Sequence, residues 1–541
     1  MLTWDPSSKL RLQHHHCWFS AGPHLRRSQK EYQSQPQSHE RKEVAHLVFS
    51  AYFRSCITEL EMERLPHTLK DADELLRLSD LLQEAALTIK DEWAKEDFSY
   101  QDESKDTARI LPSHRLWNAE RTIEAVTGAI VELVAEPHQR IQQILAEFME
   151  SRALFIAAER KIPDLLHGAG PNGLDIQTIS ERTGIERRKL ARILRTLCSI
   201  HIFREVADNR FANNRISGAL VDNPGLRAYV QLFGLHIYSS SDHFPRYLLG
   251  STGHSYKVDE TAFHRAMGTN KPLWEWMTEN LLPSQVVSDG PGYPGVPDLS
   301  ACSDPRDAPG VVINRPELEN FALAMVAGGK TSGAAHAFDF PWLELGEGIV
   351  VDVGGGVGGF PLQLLNVYPK LKFVVQDRPE NVERGEHKVY PKEAPDAVSS
   401  GRVTFQAHDF FQPNPVKNAD VYWLRGILHD WSDDYCVAIL KAIKTAMGPK
   451  SRILICDPVM NTTFGCAEIP PAPSPLPANY GYHVRYCHTR DLALMATLNG
   501  IERTPTEFKA LLESAGLRLR KFWEVRSMVG ITEAGLNDAS D

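Results

Sequence analysis

The chain has 541 residues, which is too long for one ordinary domain and predicts two domains with added segments. Its 59 basic and 69 acidic residues give a net charge of -10, which argues against a nucleic-acid-binding protein. No apolar run approaches the roughly 20 residues that span a bilayer, and the N-terminus does not resemble a signal peptide. We therefore expect a cytoplasmic protein with no membrane segment.

The eight cysteines are scattered, and none forms a C-x-x-C pair. This distribution suits free thiols in a reducing compartment better than a disulfide framework. No Cys/His spacing supports the adjacent His14, His15 and His16 as metal ligands, so we expect no metal site.

Residues 1–61 are rich in Gln, His, Arg and Ser and have little to bury, which predicts a disordered extension. A helical region follows, and we assign it with the winged helix below to a domain over residues 62–335. Its first helix is indicated by apolar residues at helical spacing, namely Leu75, Leu78, Leu82, Ala85 and Ile89. A second helical stretch runs from Trp117 to Leu166.

A winged helix-turn-helix pattern follows from about residue 174. A short helix, a Thr183-Gly184 turn and a second helix precede two strand-like pieces around Asp208-Asn209. Arg187, Arg188 and Lys189 open the second helix, where a DNA-binding protein places its base contacts. The alternative is a packing domain with these basic residues on a solvated face, and the acidic charge of the chain favours it.

Two segments dense in proline predict irregular structure. Residues 284–312 are also rich in Gly and Asp and predict a long loop insertion. The second segment runs from Ile469 to His483 between core elements. It can serve as a lid over a site or as a passive connector, and the sequence leaves both open.

From Gly348 onward, short apolar runs alternate with helical pieces. Such alternation predicts an α/β domain, over residues 336–541, with a parallel sheet covered on both faces. The last two runs, "RKFWEVRS" and "MVGITEAG", lie too close together for a helical crossover. They predict an antiparallel hairpin, and hence a reversed terminal strand in the sheet.

A glycine-rich segment, "VVDVGGGVGGF", follows a predicted strand and opens a helix. Gly354, Gly356 and Gly359 match G-x-G-x-x-G, and Asp377 ends the next strand, where a carboxylate can hold ribose hydroxyls. These features fit a nicotinamide cofactor as well as S-adenosylmethionine.

Three further features favour S-adenosylmethionine. Asp352 lies just before the glycines, where an acid favours the ammonium group of a cofactor. Asp409 ends the third strand beside Phe410, a pair suited to an adenine amino group and an adenine ring. The third feature is the reversed hairpin.

The motifs "VDVGGGVGG", "QDRP", "HDFF", "LRGILHDWSDD" and "NGIERTPTEF" occur in this order. With them, the chain resembles the two-domain S-adenosylmethionine-dependent O-methyltransferases of the caffeic-acid and hydroxyindole type. It is most similar to fungal members that methylate polyketide or other aromatic hydroxyls. The resemblance covers roughly residues 120–535 and implies a class I, Rossmann-like methyltransferase sheet after a winged-helix dimerisation domain.

The resemblance implies cofactor-binding roles by position. Gly354 to Gly358 would line the methionine part of S-adenosyl-L-methionine, and Asp377 would hold its ribose. Asp409 and Phe410 would flank the adenine. Arg425 stands where the family usually has lysine, and its planar guanidinium is not equivalent to an ammonium group.

The resemblance also assigns the catalytic groups. His429 matches the general base of the family. Asp457 stands where plant members often carry the longer glutamate, and Glu502 matches a second family acid; these two would flank the histidine and orient it. Asp430 would border the substrate. Ser432, with the two acids after it, fits the cap and first turn of a helix.

The substrate implied is a small aromatic hydroxy compound, and the implied assembly is a homodimer through the N-terminal domain. Phe263, Met267, Trp274 and Met325 are candidate substrate walls, with ordinary core packing as the alternative. Two other functions stay open. A nicotinamide oxidoreductase would need a hydride-handling pair outside the His429 motif, and a winged-helix regulator would need DNA affinity.

Overall fold

The computed structural model describes residues 67–95, 111–281, 313–331 and 335–537. From Thr68 onward these residues belong to one compact unit. The predictions for residues 1–61 and 284–312 lie outside the described residues, and the predicted domain borders stay predictions.

Five helices open the described chain: α1 Leu69–Lys95, α2 His114–Val134, α3 Pro137–Ala146, α4 Phe148–Glu159 and α5 Ile162–His167. The predicted apolar stripe of α1 faces α2. Leu78 packs near Ala125, whereas Ala85 packs near Leu116, so the two helices run antiparallel. The helix predicted from the spacing of these apolar residues is thus confirmed.

The predicted winged helix is present. It contains strands β1 Leu174–Asp175, β2 Phe203–Ala207 and β3 Arg210–Asn213, and helices α6 Ile176–Thr183 and α7 Arg187–Ser199. The strands form a small sheet in the order β1-β3-β2. Leu190, Leu194 and Leu197 of α7 are completely buried in the core of this unit, while the basic residues at its start are exposed.

A second set of helices leads toward the large sheet: α8 Arg215–Gly218, α9 Pro224–Leu232, α10 Tyr238–Leu248, α11 Ala262–Met267, α12 Leu273–Met277 and α13 Pro316–Thr331. The short strands β4 Asn280–Leu281 and β5 Ile313–Asn314 pair antiparallel just before α13.

Seven strands form the main sheet: β6 Ile349–Val353, β7 Lys372–Asp377, β8 Val403–Ala407, β9 Val421–Arg425, β10 Arg452–Asp457, β11 Leu517–Trp523 and β12 Gly530–Leu536. Their order is β11-β12-β10-β9-β6-β7-β8. The pairs from β10 to β8 are parallel, whereas β12 runs antiparallel to both β10 and β11. The predicted α/β class and the reversed terminal strand are therefore confirmed.

Helices follow the strands of this sheet: α14 Gly359–Leu364, α15 Pro379–Arg384, α16 Tyr390–Glu393, α17 Pro395–Ser399, α18 Asp433–Lys444, α19 Arg485–Leu498 and α20 Pro505–Ser514. Side chains of β9 alternate between the two faces. Val421 and Trp423 enter one apolar core, while Tyr422 and Leu424 enter the other. The near-continuous apolar run of β9 reflects this burial on both sides.

The proline-rich segment after β10 packs against the N-terminal helices. Ala472, Leu476 and Tyr480 share an apolar cluster with residues of α1 and α2. With α2 and the turn between β11 and β12, the segment borders a cavity of about 150 Å³. The segment thus lines this cavity, and its role as a lid or as a connector stays a prediction.

Candidate active site

The predicted cofactor residues meet at the carboxyl ends of the parallel strands. Asp352 lies in β6, Asp377 ends β7, Arg425 ends β9 and Asp457 ends β10. Because these ends share one edge of the sheet, residues far apart in sequence come together there.

The glycine loop between β6 and α14 has positive φ angles, which residues with a side chain rarely adopt. Gly354, Gly356 and Gly358 have φ angles of 71°, 59° and 82°. A Cβ at Gly354 would lie 2.4 Å from Ile427 Cδ1, whereas one at Gly356 would meet no atom within 4 Å. The loop is therefore packed on one side and leaves open space beside Gly356.

Asp377 ties this loop to β7. Its Oδ2 accepts from the Gly356 N–H at 2.8 Å, and its Oδ1 accepts from the Arg378 N–H at 2.8 Å and from Asn381 Nδ2 at 2.7 Å. The carboxylate thus fixes the loop and remains partly accessible.

Asp352 is a buried acid with an unused oxygen. It is 3% exposed, and its Oδ2 has no hydrogen-bond partner. Burial raises the pKa of Asp352 to about 7, although Arg425 acts in the opposite direction. An ammonium group placed here would favour the ionised form and supply the missing donor.

Arg425 faces two polar side chains at the end of β9. Its Nη1 lies 3.3 Å from His336 Nε2 and 3.4 Å from Gln363 Oε1. Burial and the positive charge of Arg425 lower the pKa of His336 to about 3, so this histidine is neutral at physiological pH.

Asp409 and Phe410 lie after β8. Asp409 is exposed, and its Oδ1 accepts from the Phe411 N–H at 3.0 Å. Phe410 reaches the glycine loop, since its Cε1 would be 3.9 Å from a Cβ at Gly354. The buried unpaired oxygen of Asp352, the open backbone at Gly356 and this ring fit the cofactor that the resemblance implies.

His429 lies in a single turn of 3-10 helix, Leu428–Asp430, between β9 and α18. Gly426 turns the chain here with a φ of 64°, which glycine adopts without strain. Arg503, only 1% exposed, donates to Leu428 O at 3.0 Å, to Trp431 O at 2.8 Å and to Asp433 Oδ1 at 2.8 Å. These bonds hold the segment that carries His429 on both sides.

Ser432 corrects one detail of the sequence analysis. It occupies the N-cap position of α18, and Asp433 and Asp434 form the first turn as expected. However, the Ser432 hydroxyl donates to Tyr256 O at 3.1 Å and makes no capping bond. The backbone carbonyl of Tyr256, from another segment, therefore takes the Ser432 hydroxyl that would otherwise bond to the first turn of α18.

Glu502 is in direct contact with His429. Its Oε1 lies 3.0 Å from His429 Nδ1, and its side chain is completely buried. In the neutral ring, a carboxylate at this distance favours the tautomer with the proton on Nδ1, and Nε2 is then the proton acceptor. Asp430 Oδ1 lies 3.5 Å from Nε2, on the side where a substrate proton would be accepted.

Asp457 contacts the turn before His429, and the role predicted for it in orienting the ring stays a prediction. Its Oδ1 accepts from the Gly426 N–H at 3.0 Å, and its Oδ2 has no partner. The shorter aspartate supports the turn before His429 and acts on the ring through its charge. Burial lowers the pKa of His429, but Glu502, Asp430 and Asp457 outweigh this effect and raise it to about 9.

The four candidate wall residues are only partly brought together. Phe263, Met267 and Trp274 share one apolar cluster with Leu494 of α19. Phe263 is completely buried, whereas Met325 on α13 is 41% exposed and outside this cluster. Phe263 is therefore a core residue of this cluster, and the wall roles stay predictions.

Arg490 is a site residue that sequence reasoning missed. It lies on α19 and binds Glu502 beside His429. In the sequence, Arg490 stands before an acid and an apolar helical run, and this local pattern does not indicate burial. The contact between Arg490 and Glu502 joins two separate elements, so no local pattern predicts it. Among residues 67–95, 111–281, 313–331 and 335–537, no group of three or more His, Cys, Asp or Glu side chains is arranged to hold a metal ion.

Two family models match this chain. The model of the O-methyltransferase domain covers residues 336–518, and that of the O-methyltransferase dimerisation domain covers residues 142–223. O-methyltransferase cicE of Emericella nidulans is 58% identical over 490 residues, which cover 89% of this chain and 92% of the relative. O-methyltransferase tpcA of Aspergillus fumigatus is 52% identical, with 88% of this chain and 98% of the relative covered.

Solved structures show the same architecture. CalO1, a methyltransferase in calicheamicin biosynthesis solved in its SAH-bound form, is 26% identical and superposes with a TM-score of 0.53. The match covers 75% of this chain and 99% of CalO1. The overall fold of this chain thus resembles that of a solved methyltransferase.

Proposed function

The chain belongs to the S-adenosylmethionine-dependent O-methyltransferases, and we propose that it methylates a phenolic or enolic hydroxyl of a small aromatic secondary metabolite with His429 as the general base. The contact of His429 Nδ1 with Glu502, beside the glycine loop, carries this proposal. Membership of this family excludes the alternative of a nicotinamide oxidoreductase, because the cofactor of the family is S-adenosylmethionine.

The proposed cofactor contacts use the edge of the sheet described above. Asp352 would hold the ammonium group, Asp377 the ribose, and Asp409 with Phe410 the adenine, while Gly354 to Gly358 leave room for the methionine part. Arg425 adds a positive charge at the same edge. When bound, S-adenosylmethionine supplies an electrophilic methyl group on a sulfonium.

The chain's own residues supply the proton transfer. A phenol has a pKa of about 10 and keeps its proton at neutral pH, so it needs a base as its oxygen attacks. His429 Nε2 accepts that proton while the new O–CH3 bond forms and the S–CH3 bond breaks, and the products are the methyl ether and S-adenosylhomocysteine. Glu502 stabilises the imidazolium formed on His429. Charge neutralisation by these groups lets the proposed reaction proceed without a metal.

The pKa of His429 sets the pH range of this step. At a pKa of about 9 the ring is mostly protonated at neutral pH and cannot accept a proton. Binding of a cationic cofactor at the same site disfavours a second positive charge, and so lowers the pKa of His429 toward the working range. The base is therefore expected to become available in the cofactor-bound enzyme.

The activity is tested with S-adenosylmethionine labelled in its methyl group. We expect label to appear in the ether oxygen of at least one compound from a panel of hydroxylated anthraquinones, naphthols, benzoates and enolic pyrones. Matched compounds with the hydroxyl already methylated should take up no label. Transfer to nitrogen or carbon, with no O-methyl product from any hydroxyl, would contradict the proposal.

The dimerisation domain supports a homodimer, and we propose that the apolar surface of α3 and α4 contributes to it. Ile144, Leu145, Phe148 and Met149 are between 51% and 69% exposed on these two helices. Contiguous exposed apolar residues of this kind mark protein interfaces.

Replacing both Ile144 and Leu145 by aspartate is expected to shift the protein from dimer to monomer, because burying two charges in an apolar interface is costly. Light scattering coupled to size exclusion measures the mass directly. Leu343→Asp is the matched control, since Leu343 is 77% exposed outside the dimerisation domain. An unchanged dimer in the double variant would place the interface elsewhere.

No helix within the described ranges is both long and apolar enough to cross a bilayer. The cytoplasmic location and the absence of nucleic-acid binding remain predictions.

A further inference from the structure

Arg490 and His429 share one carboxylate oxygen. Arg490 donates from Nε to Glu502 Oε1 at 3.0 Å, and its Nη2 bonds to the same oxygen. That oxygen also contacts His429 Nδ1, and Arg490 Nη2 lies 3.1 Å from Nδ1. Both nitrogens are donors when Nδ1 carries the ring proton, so this last contact joins two donors that converge on Glu502.

The surroundings contain more negative than positive charge. Asp430 and Asp457 face His429 from its own turn and from the end of β10, and Glu502 faces it from the segment before α20. Asp491 approaches Glu502 from α19, where its Oδ1 accepts from the Glu502 N–H at 2.8 Å. Glu502, Asp430 and Asp457 each favour a proton on the imidazole.

Arg503 and Arg490 are cations close to these acids. Arg503 lies behind the turn, where its bonds go to Asp433 and to backbone carbonyls. Arg490 is the cation in contact with the ring, and its side chain is 20% exposed. Burial raises the pKa of Asp430 and of Asp457, and the positive charge of Arg490 acts in the opposite direction on both. Tyr486 and Cys487, which precede it on α19, are neutral neighbours whose pKa values burial raises.

We propose that Arg490 is a positioning residue for the proton transfer, which holds Glu502 against His429 Nδ1 and opposes a second positive charge on the imidazole. This inference rests on the proposed function, because it requires His429 to be the base. The two effects are separable. The guanidinium fork orients the carboxylate, whereas the positive charge disfavours the imidazolium.

Arg490→Met removes both effects with a side chain of similar length. At saturating S-adenosylmethionine, we expect the acidic limb of kcat/KM for the acceptor to move upward by about one to two pH units. Turnover should recover in part above the new limb, because neutral His429 then forms despite the lost cation. Affinity for S-adenosylhomocysteine, which carries no sulfonium charge, should stay unchanged.

Arg490→Lys separates charge from geometry, since lysine keeps the charge and lacks the fork. Its acidic limb should remain near that of the unchanged enzyme, while its maximal kcat falls because Glu502 is less firmly held. Arg485→Met is the matched control: Arg485 lies on the same helix and pairs with Glu147 away from His429. Its pH profile should not move.

If the acidic limb of the kcat/KM profile of Arg490→Met stayed at its original pH and kcat fell equally at every pH, the role of Arg490 would be purely structural and the inference would be overturned. A higher KM for the acceptor with an unmoved limb would also overturn it, in favour of a substrate contact. Failure of the proposed function gives a different result, since His429→Ala would then retain turnover whatever Arg490 does.

Discussion

Replacing His429 by alanine is expected to lower kcat by about 10²- to 10⁴-fold, the usual contribution of a positioned general base. The phenolic proton would then have to leave to water, which is a poor base at neutral pH. The contacts proposed for the cofactor lie on Asp352, Asp377 and the glycine loop, and none of them uses the imidazole. Affinity for S-adenosylhomocysteine, measured by calorimetry, should therefore match that of the unchanged enzyme.

A second histidine–carboxylate pair provides the control. His138 Nδ1 lies 2.8 Å from Glu136 Oε1, but the His138 side chain is 81% exposed. His138→Ala removes the same chemical pair from the surface and should leave kcat unchanged. If His429→Ala turned over at the rate of His138→Ala, His429 would not be the base.

Raising the pH distinguishes loss of the base from loss of the fold. In His429→Ala the acceptor ionises by itself as the pH approaches about 10, so part of the rate should return without the enzyme supplying a base. A variant that had lost its structure would show no such recovery. The recovered rate should also be largest for acceptors with the most acidic hydroxyls.

The fold was largely predictable because its signals are local and repeated. The alternation of apolar runs and helical pieces after Gly348 indicated the parallel sheet, and the short spacing between the last two runs indicated the β11–β12 hairpin. The position of β12 between β10 and β11 follows from pairing between distant segments. The sequence analysis predicts the hairpin and does not predict this order.

The site was predictable where a motif fixes the backbone. The glycines and Asp377 follow strand ends, so their meeting at one edge of the sheet follows from parallel topology. Arg490 was not predictable, because its contact with Glu502 depends on how α19 packs beside the turn that carries His429. The bond of Asp457 to Gly426 depends on the length of its side chain, which a motif does not resolve.

Asp377→Ala is expected to weaken binding of S-adenosylhomocysteine by about 10²-fold or more. Hydrogen bonds to a charged group contribute about 1.5–3 kcal/mol each, and this change removes the proposed ribose contact. It also frees the Gly356 N–H and Asn381 Nδ2, which now converge on the carboxylate. The loop beside the proposed cofactor site then loses its link to β7.

Asp396→Ala is the matched control, because Asp396 is an exposed first-turn acid of α17 on the same domain. Calorimetry should give an unchanged affinity for it. Asp377→Asn should fall between the two, since the amide keeps an acceptor oxygen and loses the charge. Equal affinities for Asp377→Ala and Asp396→Ala would remove Asp377 from the cofactor site.

Asp377→Ala and His429→Ala should differ most clearly when the cofactor concentration is raised. High S-adenosylmethionine should restore much of the turnover of Asp377→Ala, because its defect lies in binding and the His429–Glu502 contact is intact. The same increase should not restore His429→Ala, whose defect lies in the proton transfer. If kcat of Asp377→Ala stayed low at saturation, the glycine loop would also be needed to align the methyl group with the acceptor oxygen, and Asp377 would act on the transition state through Gly356.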